Sequence, residues 1–308
     1  MKNSKIIFMG TPDIAEKYFQ SLLSSNYNIV GVYTQPPKKK DRGLKLIKSP
    51  VHVSALKKNI PVFCPENFSY QNEIDKFKEL KPDLVIVMAY GKIIPKEILS
   101  LSNYGFINIH LSLLPRWRGA SPVEHAILYG DDTTGVTIFK LVEKLDEGPI
   151  IDIKTIKIKK EISKQELIDQ LNELGIELLN KVIPDFINNK ISLKIQDNSK
   201  ATYAKKILNE DRKINFNQNV VNVFNHIRAF SPKPAAWFLL KNERIKIINC
   251  HYKLCKSKSS IITNENFHIG CEGGEIIPKL IQREGKKPMK IDEFLKGFKF
   301  EIFEKLNV

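Results

Sequence analysis

The first half of the sequence alternates short apolar runs with segments of helical periodicity, a pattern typical of an α/β sheet. Lys5–Met9 has the length of a buried strand, and the continuous apolar run Leu84–Met88 is expected of a central strand covered on both faces. Apolar residues recur at helical spacing from Ile14 to Leu23. The preceding Thr11-Pro12-Asp13 predicts that this helix begins with proline at its first position.

Two further strands and a long helix are predicted later in this half. Gly135–Leu141 and Pro149–Ile158 have the composition of strands and could form an antiparallel pair. The amphipathic pattern that follows predicts a helix over Lys164–Phe186. We therefore place a first domain at residues 1–188.

The rest of the chain has a different pattern. Residues 189–206 are polar and irregular, and we interpret them as a linker to a second domain at residues 207–308. That domain has one helical segment, Val220–Ala229, and short alternating runs that are typical of a small β-barrel. The runs are Ala236–Leu240, Arg244–Cys250, Ser260–Thr263 and Glu275–Gln282.

The basic charge of the chain is concentrated in two places. Of 308 residues, 49 are Lys or Arg and 34 are Asp or Glu, which gives a net charge of +15. Residues 201–308 hold 20 basic and 11 acidic side chains, and most of the remaining surplus lies between Gln35 and Ser49. A solvated surface is the ordinary role of a charge run. A general preference for lysine would spread the charge evenly, however, so the clustering favours a polyanionic partner.

Two polar residues on an apolar strand form the first candidate site. In Phe106–Leu111, apolar residues alternate with Asn108 and His110, whose side chains therefore share one face. Burying such groups unpaired costs about 1–3 kcal/mol each, so they either bond one another and the nearby backbone or face a pocket. A loop rich in Pro and Gly follows at once, and ligands of open α/β sheets bind at such strand ends. The residues alone leave both alternatives open.

Several carboxylates could orient this histidine. An Asp-Asp pair follows Gly130 and is typical of a turn, whereas Asp146 lies in a tight connection that can direct a side chain into a cleft. Spacing alone does not select one of them. The candidates are Asp131, Asp132, Glu143, Asp146 and Glu147.

Several segments resemble the motifs of the 10-formyltetrahydrofolate-dependent formyltransferases. They are Phe8-Met-Gly-Thr-Pro12, Gln35-Pro-Pro-Lys38, Asn108-Ile-His110, Ser112-Leu-Leu-Pro-Arg-Trp-Arg-Gly119, Leu145-Asp-Glu-Gly148, Ile227-Arg-Ala-Phe-Ser-Pro232 and Glu284-Gly-Lys-Lys-Pro-Met289. The resemblance covers essentially the whole chain. It implies a Rossmann-like formyltransferase catalytic domain followed by an OB-like β-barrel. The core motifs are shared by the wider superfamily, whereas the basic loop and the second domain are not.

The resemblance also implies a reaction, in which the formyl group of 10-formyltetrahydrofolate passes to the free amine of initiator methionyl-tRNA. The family's catalytic asparagine, histidine and aspartate match Asn108, His110 and Asp146. The Asn108 amide and a protonated His110 are suited to donate hydrogen bonds to the formyl oxygen as it gains negative charge. Asp146 would hold the imidazolium and help to move the proton of the amine.

Binding residues follow from the same resemblance. The family's folate contacts map onto Ser112, Leu113, Leu114 and Pro115, with the pterin expected against the backbone at Met88, Ala89 and Tyr90. The family's loop at 35–49 enters the acceptor end of tRNA, and Arg42 is the strongest candidate there because arginine can bridge phosphates or stack on a base. The residues predicted to bind tRNA are Lys38, Lys39, Lys40, Arg42, Lys45, Lys205 and Lys206.

Other cofactors and locations are disfavoured by the sequence. The first strand is not followed by Gly-x-Gly-x-x-Gly and there is no Walker sequence, so we expect neither NAD nor ATP. No run approaches the roughly 18 apolar residues of a membrane span, and the start is unlike a signal peptide, so we expect a cytoplasmic protein and, by default, a monomer. We also expect no metal site, because the spacing of one Cys/His group is too loose for zinc. The cysteines are expected to be reduced. That group is Cys250, His251, Cys255, His268 and Cys271.

Three other functions are alternatives to methionyl-tRNA formylation. A related enzyme could formylate a glycinamide nucleotide or an amino-sugar nucleotide, but this predicts neither a basic loop nor a basic second domain. A hydrolase could release formate from the folate with water as the acceptor. An RNA-binding protein with an inactive enzyme domain is disfavoured by the intact Asn108, His110 and Asp146.

Overall fold

A computed structural model describes residues 4–40, 45–68 and 70–306, with the backbone alone at residues 39, 40 and 45. The chain divides into two compact units. The first comprises residues 1–119, 135–156 and 170–203, and the second comprises residues 120–134, 157–169 and 204–308. Each unit is therefore built from more than one stretch of the sequence.

The elements are numbered in chain order. The strands are β1 (Lys5–Gly10), β2 (Asn28–Tyr33), β3 (Lys38–Lys40), β4 (Lys45–Ile47), β5 (Val62–Phe63), β6 (Leu84–Met88), β7 (Phe106–His110), β8 (Arg118–Gly119), β9 (Thr133–Lys140), β10 (Ile150–Lys157), β11 (Tyr203–Ala204), β12 (Ala236–Leu240), β13 (Glu243–Leu254), β14 (Ile269–Cys271), β15 (Gly274–Arg283) and β16 (Met289–Lys290). The α-helices are α1 (Asp13–Ser24), α2 (Pro50–Lys57), α3 (Gln71–Glu79), α4 (Lys96–Leu99), α5 (Pro122–Leu128), α6 (Lys164–Ile187), α7 (Val220–Ala229) and α8 (Ile291–Gly297).

The first unit is built on a seven-stranded sheet with the order β10-β9-β7-β6-β1-β2-β5. β1 pairs in parallel with β2 and β6, and β6 pairs in parallel with β7. All five residues of β6 are buried, as its continuous apolar run predicts. The parallel order with helical connections confirms the predicted Rossmann-like α/β fold.

The first helix begins one residue later than predicted. α1 starts at Asp13, and Pro12 is its N-cap rather than its first residue. The hydroxyl of Thr11 does not cap the helix, because it donates to the carbonyl of Tyr90 at 3.1 Å. That bond ties the end of β1 to the end of β6, a contact that local sequence does not reveal.

β9 and β10 are neighbours and run in opposite directions, as the sequence suggests. The backbone N–H of Lys140, at the end of β9, donates to the carbonyl of Pro149 at 2.9 Å. Near the start of β9, a Cβ on Gly135 would lie 2.1 Å from the carbonyl oxygen of Lys154. The connection between the two strands is therefore short and tightly held, and it contains residues 141–149.

β3 and β4 form a small antiparallel hairpin in the basic loop, with Lys38 opposite Ile47. α2 follows it, and the hydroxyl of Ser49 accepts a hydrogen bond from the backbone N–H of His52 at 3.1 Å. Ser49 is therefore the N-cap of α2, with Pro50 at the first helical position.

The second unit contains an antiparallel sheet with the order β12-β13-β15-β14, to which β16 adds along β15. α7 packs on β13 and β15, and α8 packs on β15. The shared core includes Val223, Ile227 and Phe238. This half-barrel is consistent with the OB-like barrel expected for the C-terminal domain.

One strand predicted in the second unit is wrong. Ser260–Thr263 is not a strand, and only isolated bridges join Ile261 to Lys305 and Ile262 to Ile269. The run is apolar because Ile261 and Ile262 are buried in the core beside β14, one of the strands that were not predicted. Burial alone does not distinguish a strand from a buried loop.

Among the described residues, no helix has both the length and the apolar character that crossing a membrane requires.

Candidate active site

Strand β7 carries Asn108 and His110 on one face, at the carboxyl end of the sheet. Asn108 pairs with Val87 of β6 and with Phe139 of β9, so it lies beside the end of β6. Its side chain is partly exposed, whereas His110 is buried. Among the described residues, the Asn108 amide has no hydrogen-bond partner and can donate to a ligand.

The His110 ring has one nitrogen occupied and one available. Nε2 lies 2.7 Å from the carbonyl oxygen of Trp117, and because a carbonyl only accepts, this nitrogen carries the proton. Nδ1 lies 3.8 Å from Oδ2 of Asp146, a distance that suits an ion pair but is too long for a hydrogen bond. The nitrogen free to meet a substrate is therefore Nδ1. One ring nitrogen is thus bonded to nearby backbone, as one of the two alternatives left open by the sequence requires, and the other faces a carboxylate.

Asp146 is buried in the connection between β9 and β10, with a backbone φ of 51°. This left-handed conformation is uncommon for residues other than Gly, Asn and Asp. Its Oδ2 accepts a hydrogen bond from the backbone N–H of Gly119 at 2.7 Å, which fixes the carboxylate beside the His110 ring. Of the five candidate carboxylates, Asp146 is the one placed near His110, while Glu143 is exposed and Glu147 lies 3.3 Å from Arg118.

The loop after β7 is held by hydroxyl groups. The hydroxyl of Thr137 on β9 donates to the carbonyl of Ser112 at 2.6 Å and accepts from the N–H of Leu114 at 3.1 Å. The Ser112 side chain is fully buried and donates to the carbonyl of Arg116 at 2.6 Å, so it supports the loop from within. Leu114 is buried, and Leu113 and Pro115 are partly exposed. Sequence reasoning missed Thr137, although a lone hydroxyl within the apolar run 136–139 was an available signal.

At the end of β6, Ala89 is the exposed residue of the three predicted to meet the pterin. Ala89 is exposed with a φ of 48°, whereas Met88 and Tyr90 are buried. The Tyr90 carbonyl accepts from the Thr11 hydroxyl and from Nε2 of Gln35 at 3.1 Å each. Burial raises the pKa of the Tyr90 phenol, which stays protonated.

The residues predicted to bind tRNA are only partly described. Lys38 is exposed and its Nζ donates to Oε1 of Gln35 at 2.7 Å. Arg42 lies outside the described residues, as do the side chains of Lys39, Lys40 and Lys45. In the second unit, Lys205 and Lys206 are exposed. The Nζ of Lys205 lies 3.8 Å from Asp211.

The histidines and cysteines outside this site do not assemble into a larger group. Within residues 4–40, 45–68 and 70–306, no three His, Cys, Asp or Glu side chains are arranged to hold a metal ion. Cys250 and Cys271 are buried with free thiols, and burial raises the pKa of each thiol. Nδ1 of His52 lies 3.6 Å from the sulfur of Cys64.

Two family models match the chain in succession. The model described as formyl transferase matches residues 4–183, and the model described as the formyl transferase C-terminal domain matches residues 206–299. The chain belongs to the formyltransferase family. The first match contains Asn108, His110 and Asp146, so the site described above lies within the family's N-terminal domain.

Curated relatives of this formyltransferase-family chain match over its full length. A methionyl-tRNA formyltransferase of Wolbachia sp. subsp. Drosophila simulans is 43% identical over 301 residues, which cover 98% of this chain and 99% of the relative. One of Pelagibacter ubique is 41% identical over 95% of each chain. Both matches extend through the second unit.

Solved structures of more distant proteins share the fold of this family member. An N-formyltransferase from Helicobacter canadensis, solved with folinic acid and dTDP-3-aminofucose, has a TM-score of 0.69 at 24% identity and covers 91% of this chain and 99% of its own. HypX from Aquifex aeolicus, in complex with tetrahydrofolic acid, has a TM-score of 0.66 at 17% identity, covering 98% of this chain and 50% of its own.

Proposed function

We propose that this protein transfers the formyl group of 10-formyltetrahydrofolate to the amine of initiator methionyl-tRNA, giving the N-formylmethionyl-tRNA that initiates translation. The observation that carries the reaction type is the placement of His110 Nδ1 beside the Asp146 carboxylate at the strand end that also carries Asn108. The acceptor is supported by the full-length likeness to proteins named methionyl-tRNA formyltransferase.

The folate brings a formyl group that is already activated, and attack by the amine places negative charge on the formyl oxygen. Asn108 donates an amide N–H to that oxygen from the partly exposed end of β7. His110 donates from Nδ1, because its Nε2 is committed to the Trp117 carbonyl. The imidazole must be protonated for this, and the Asp146 carboxylate at 3.8 Å stabilises that positive charge.

Asp146 has a second role in moving the proton of the attacking amine. Its Oδ2 is held by the N–H of Gly119, which orients the carboxylate. The carboxylate then accepts the proton lost by the amine, through a water molecule where the amine does not reach it, and the proton passes on to N10 of the folate as the bond between the formyl carbon and N10 breaks and tetrahydrofolate leaves. The nucleophile is the substrate amine, so no covalent bond to a protein side chain is required.

The folate is expected to lie along the exposed backbone at Ala89, against the loop from Leu113 to Pro115. Ala89 directly follows β6, is exposed and has a φ of 48°, and β6 pairs with Asn108 through Val87. An apolar loop that is held in place by hydrogen bonds from hydroxyl groups is a suitable wall for a site that binds a flat heterocycle. The Ser112 side chain supports this wall from inside rather than contacting the ligand directly.

The tRNA is expected to contact the basic hairpin in the first unit and the basic residues of the second. The hairpin is formed by β3 and β4, and Arg42 lies between these two strands in the sequence. The contacts in the second unit would include Lys205 and Lys206. We place the enzyme in the cytoplasm, where initiator tRNA is charged, and expect it to act as a monomer.

The decisive experiment incubates the protein with 10-formyltetrahydrofolate and one acceptor at a time. The acceptors are methionyl-tRNA, a glycinamide nucleotide, an amino-sugar nucleotide, and water alone. We expect formylated product with methionyl-tRNA and none of comparable yield with the others. Formylation of the sugar nucleotide, release of formate in water, or no reaction with any acceptor would each contradict the proposal.

A further inference from the structure

A buried side-chain amide lies beneath the connection that carries Asp146. Gln196 is 5% exposed and follows α6, 50 residues along the chain from Asp146. Its Nε2 donates to the carbonyl of Asp146 at 2.8 Å and to the carbonyl of Gly148 at 2.7 Å. Both N–H groups of the amide are thereby used to hold the backbone on either side of Glu147.

The other end of the same amide is fixed by a buried arginine. Oε1 of Gln196 accepts from Nη2 of Arg118 at 2.8 Å and from its Nε at 3.2 Å. Arg118 is 1% exposed, and its Nη1 lies 3.3 Å from Oε1 of Glu147. Because arginine only donates and backbone carbonyls only accept, the amide has one possible orientation.

This arrangement holds a backbone conformation that needs support. Asp146 has a φ of 51°, and such a conformation persists where the surrounding structure determines it. Gly148, two residues on, approaches so closely that an added Cβ would lie 1.7 Å from the carbonyl of Lys140. The two bonds from Gln196 span this turn, so their loss would allow the Asp146 carboxylate to move away from His110.

We propose that Gln196 is a positioning residue for formyl transfer, acting through the backbone carbonyls of Asp146 and Gly148, and that Arg118 orients Gln196. The inference rests on the proposed function, since it assumes that Asp146 takes part in the transfer. Gln196 lies outside the segments that resemble the family's motifs, whereas Arg118 lies within one of them.

The test replaces the amide by groups of similar size. Gln196→Glu keeps an acceptor for Arg118 but turns a carboxylate oxygen toward two carbonyl oxygens. Gln196→Met removes both donors without adding charge. We expect each variant to lower kcat about 30- to 100-fold with KM for folate and tRNA within about threefold of wild type, because the carboxylate is displaced while the binding surfaces remain.

A matched control uses another side-chain amide that joins two elements of the same unit. Asn180 on α6 donates from Nδ2 to the Ser21 hydroxyl at 2.9 Å and accepts from the Ser25 hydroxyl at 3.2 Å. Asn180→Asp makes the same amide-to-carboxylate change away from the site. Its kcat should stay within about threefold of wild type.

A second readout separates positioning from general stability. If Gln196 acts through Asp146, adding Gln196→Glu to Asp146→Asn should change kcat by less than about threefold. A full additional loss in that background would overturn the proposal, as would near-normal kcat in either single variant. Loss of folded protein in both single variants would also overturn it, because Gln196 would then serve overall stability. Failure of the proposed function is distinct, since the wild-type protein would then not formylate methionyl-tRNA.

Discussion

Removing the charge of Asp146 should reduce catalysis strongly while leaving the fold intact. Asp146→Asn keeps the shape of the side chain and an oxygen that can accept from the N–H of Gly119. It removes the negative charge 3.8 Å from Nδ1 of His110. At that distance, two unit charges interact by about 4 kcal/mol at an effective dielectric constant of about 20.

That interaction stabilises the protonated imidazole that is to donate to the formyl oxygen. Losing it corresponds to a fall in kcat of about 10²- to 10³-fold, with KM for methionyl-tRNA little changed. The assay follows formylmethionyl-tRNA formation under saturating folate. Glu143→Gln is the control, since it removes one charge from an exposed position in the same connection. A kcat for Asp146→Asn within tenfold of wild type would refute the assigned role of the carboxylate.

Three further predictions concern the other groups. Asn108→Ala and His110→Ala should each lower kcat by about 10²- to 10³-fold, and near-normal turnover in either would contradict its role as a donor to the oxyanion. Alanine at three basic positions of the hairpin should weaken tRNA binding and flatten its dependence on salt, with folate affinity unchanged as the internal control. Those positions are Lys38, Lys40 and Arg42. The Arg283 guanidinium donates hydrogen bonds to the Glu243 carboxylate and lowers the pKa of that carboxyl below the ordinary 4.5. The pair therefore stabilises the fold fully above pH 4.5, and this stabilisation is lost as the pH falls through the lowered pKa of Glu243. Glu243→Gln should therefore reduce Tm slightly at pH 7 and by less in acid, and a Tm difference that does not shrink as the pH falls would contradict the assignment.

The architecture was predicted from the local pattern of apolar and polar residues along the chain. Hydrophobic periodicity identified β1, β6, β12 and α6 closely, because burial on one or both faces fixes which residues can occupy these positions. The same pattern wrongly predicted a strand at Ser260–Thr263, where the apolar residues belong to a loop and are buried in the core. A loop and a strand can bury the same side chains, and the difference lies in backbone pairing that no local signal specifies.

The site was only partly accessible to sequence reasoning. The alternation along β7 placed Asn108 and His110 on one face, but the choice of Asp146 among five carboxylates came first from family resemblance and then from the fold. The nitrogen of His110 that faces the substrate depends on the Trp117 carbonyl, a group that every residue type possesses. Thr137 and Gln196 were not identified, because each acts on the backbone of a distant segment.

By itself, the sequence determined two things: the order of buried strands and helices, and the concentration of positive charge in one loop and in residues 201–308. Both are properties of residue type and spacing. The tertiary structure decided which polar groups meet. His110, Asp146 and Gln196 are brought together by the path of the backbone, and hydrogen bonds form wherever that path places a donor opposite an acceptor.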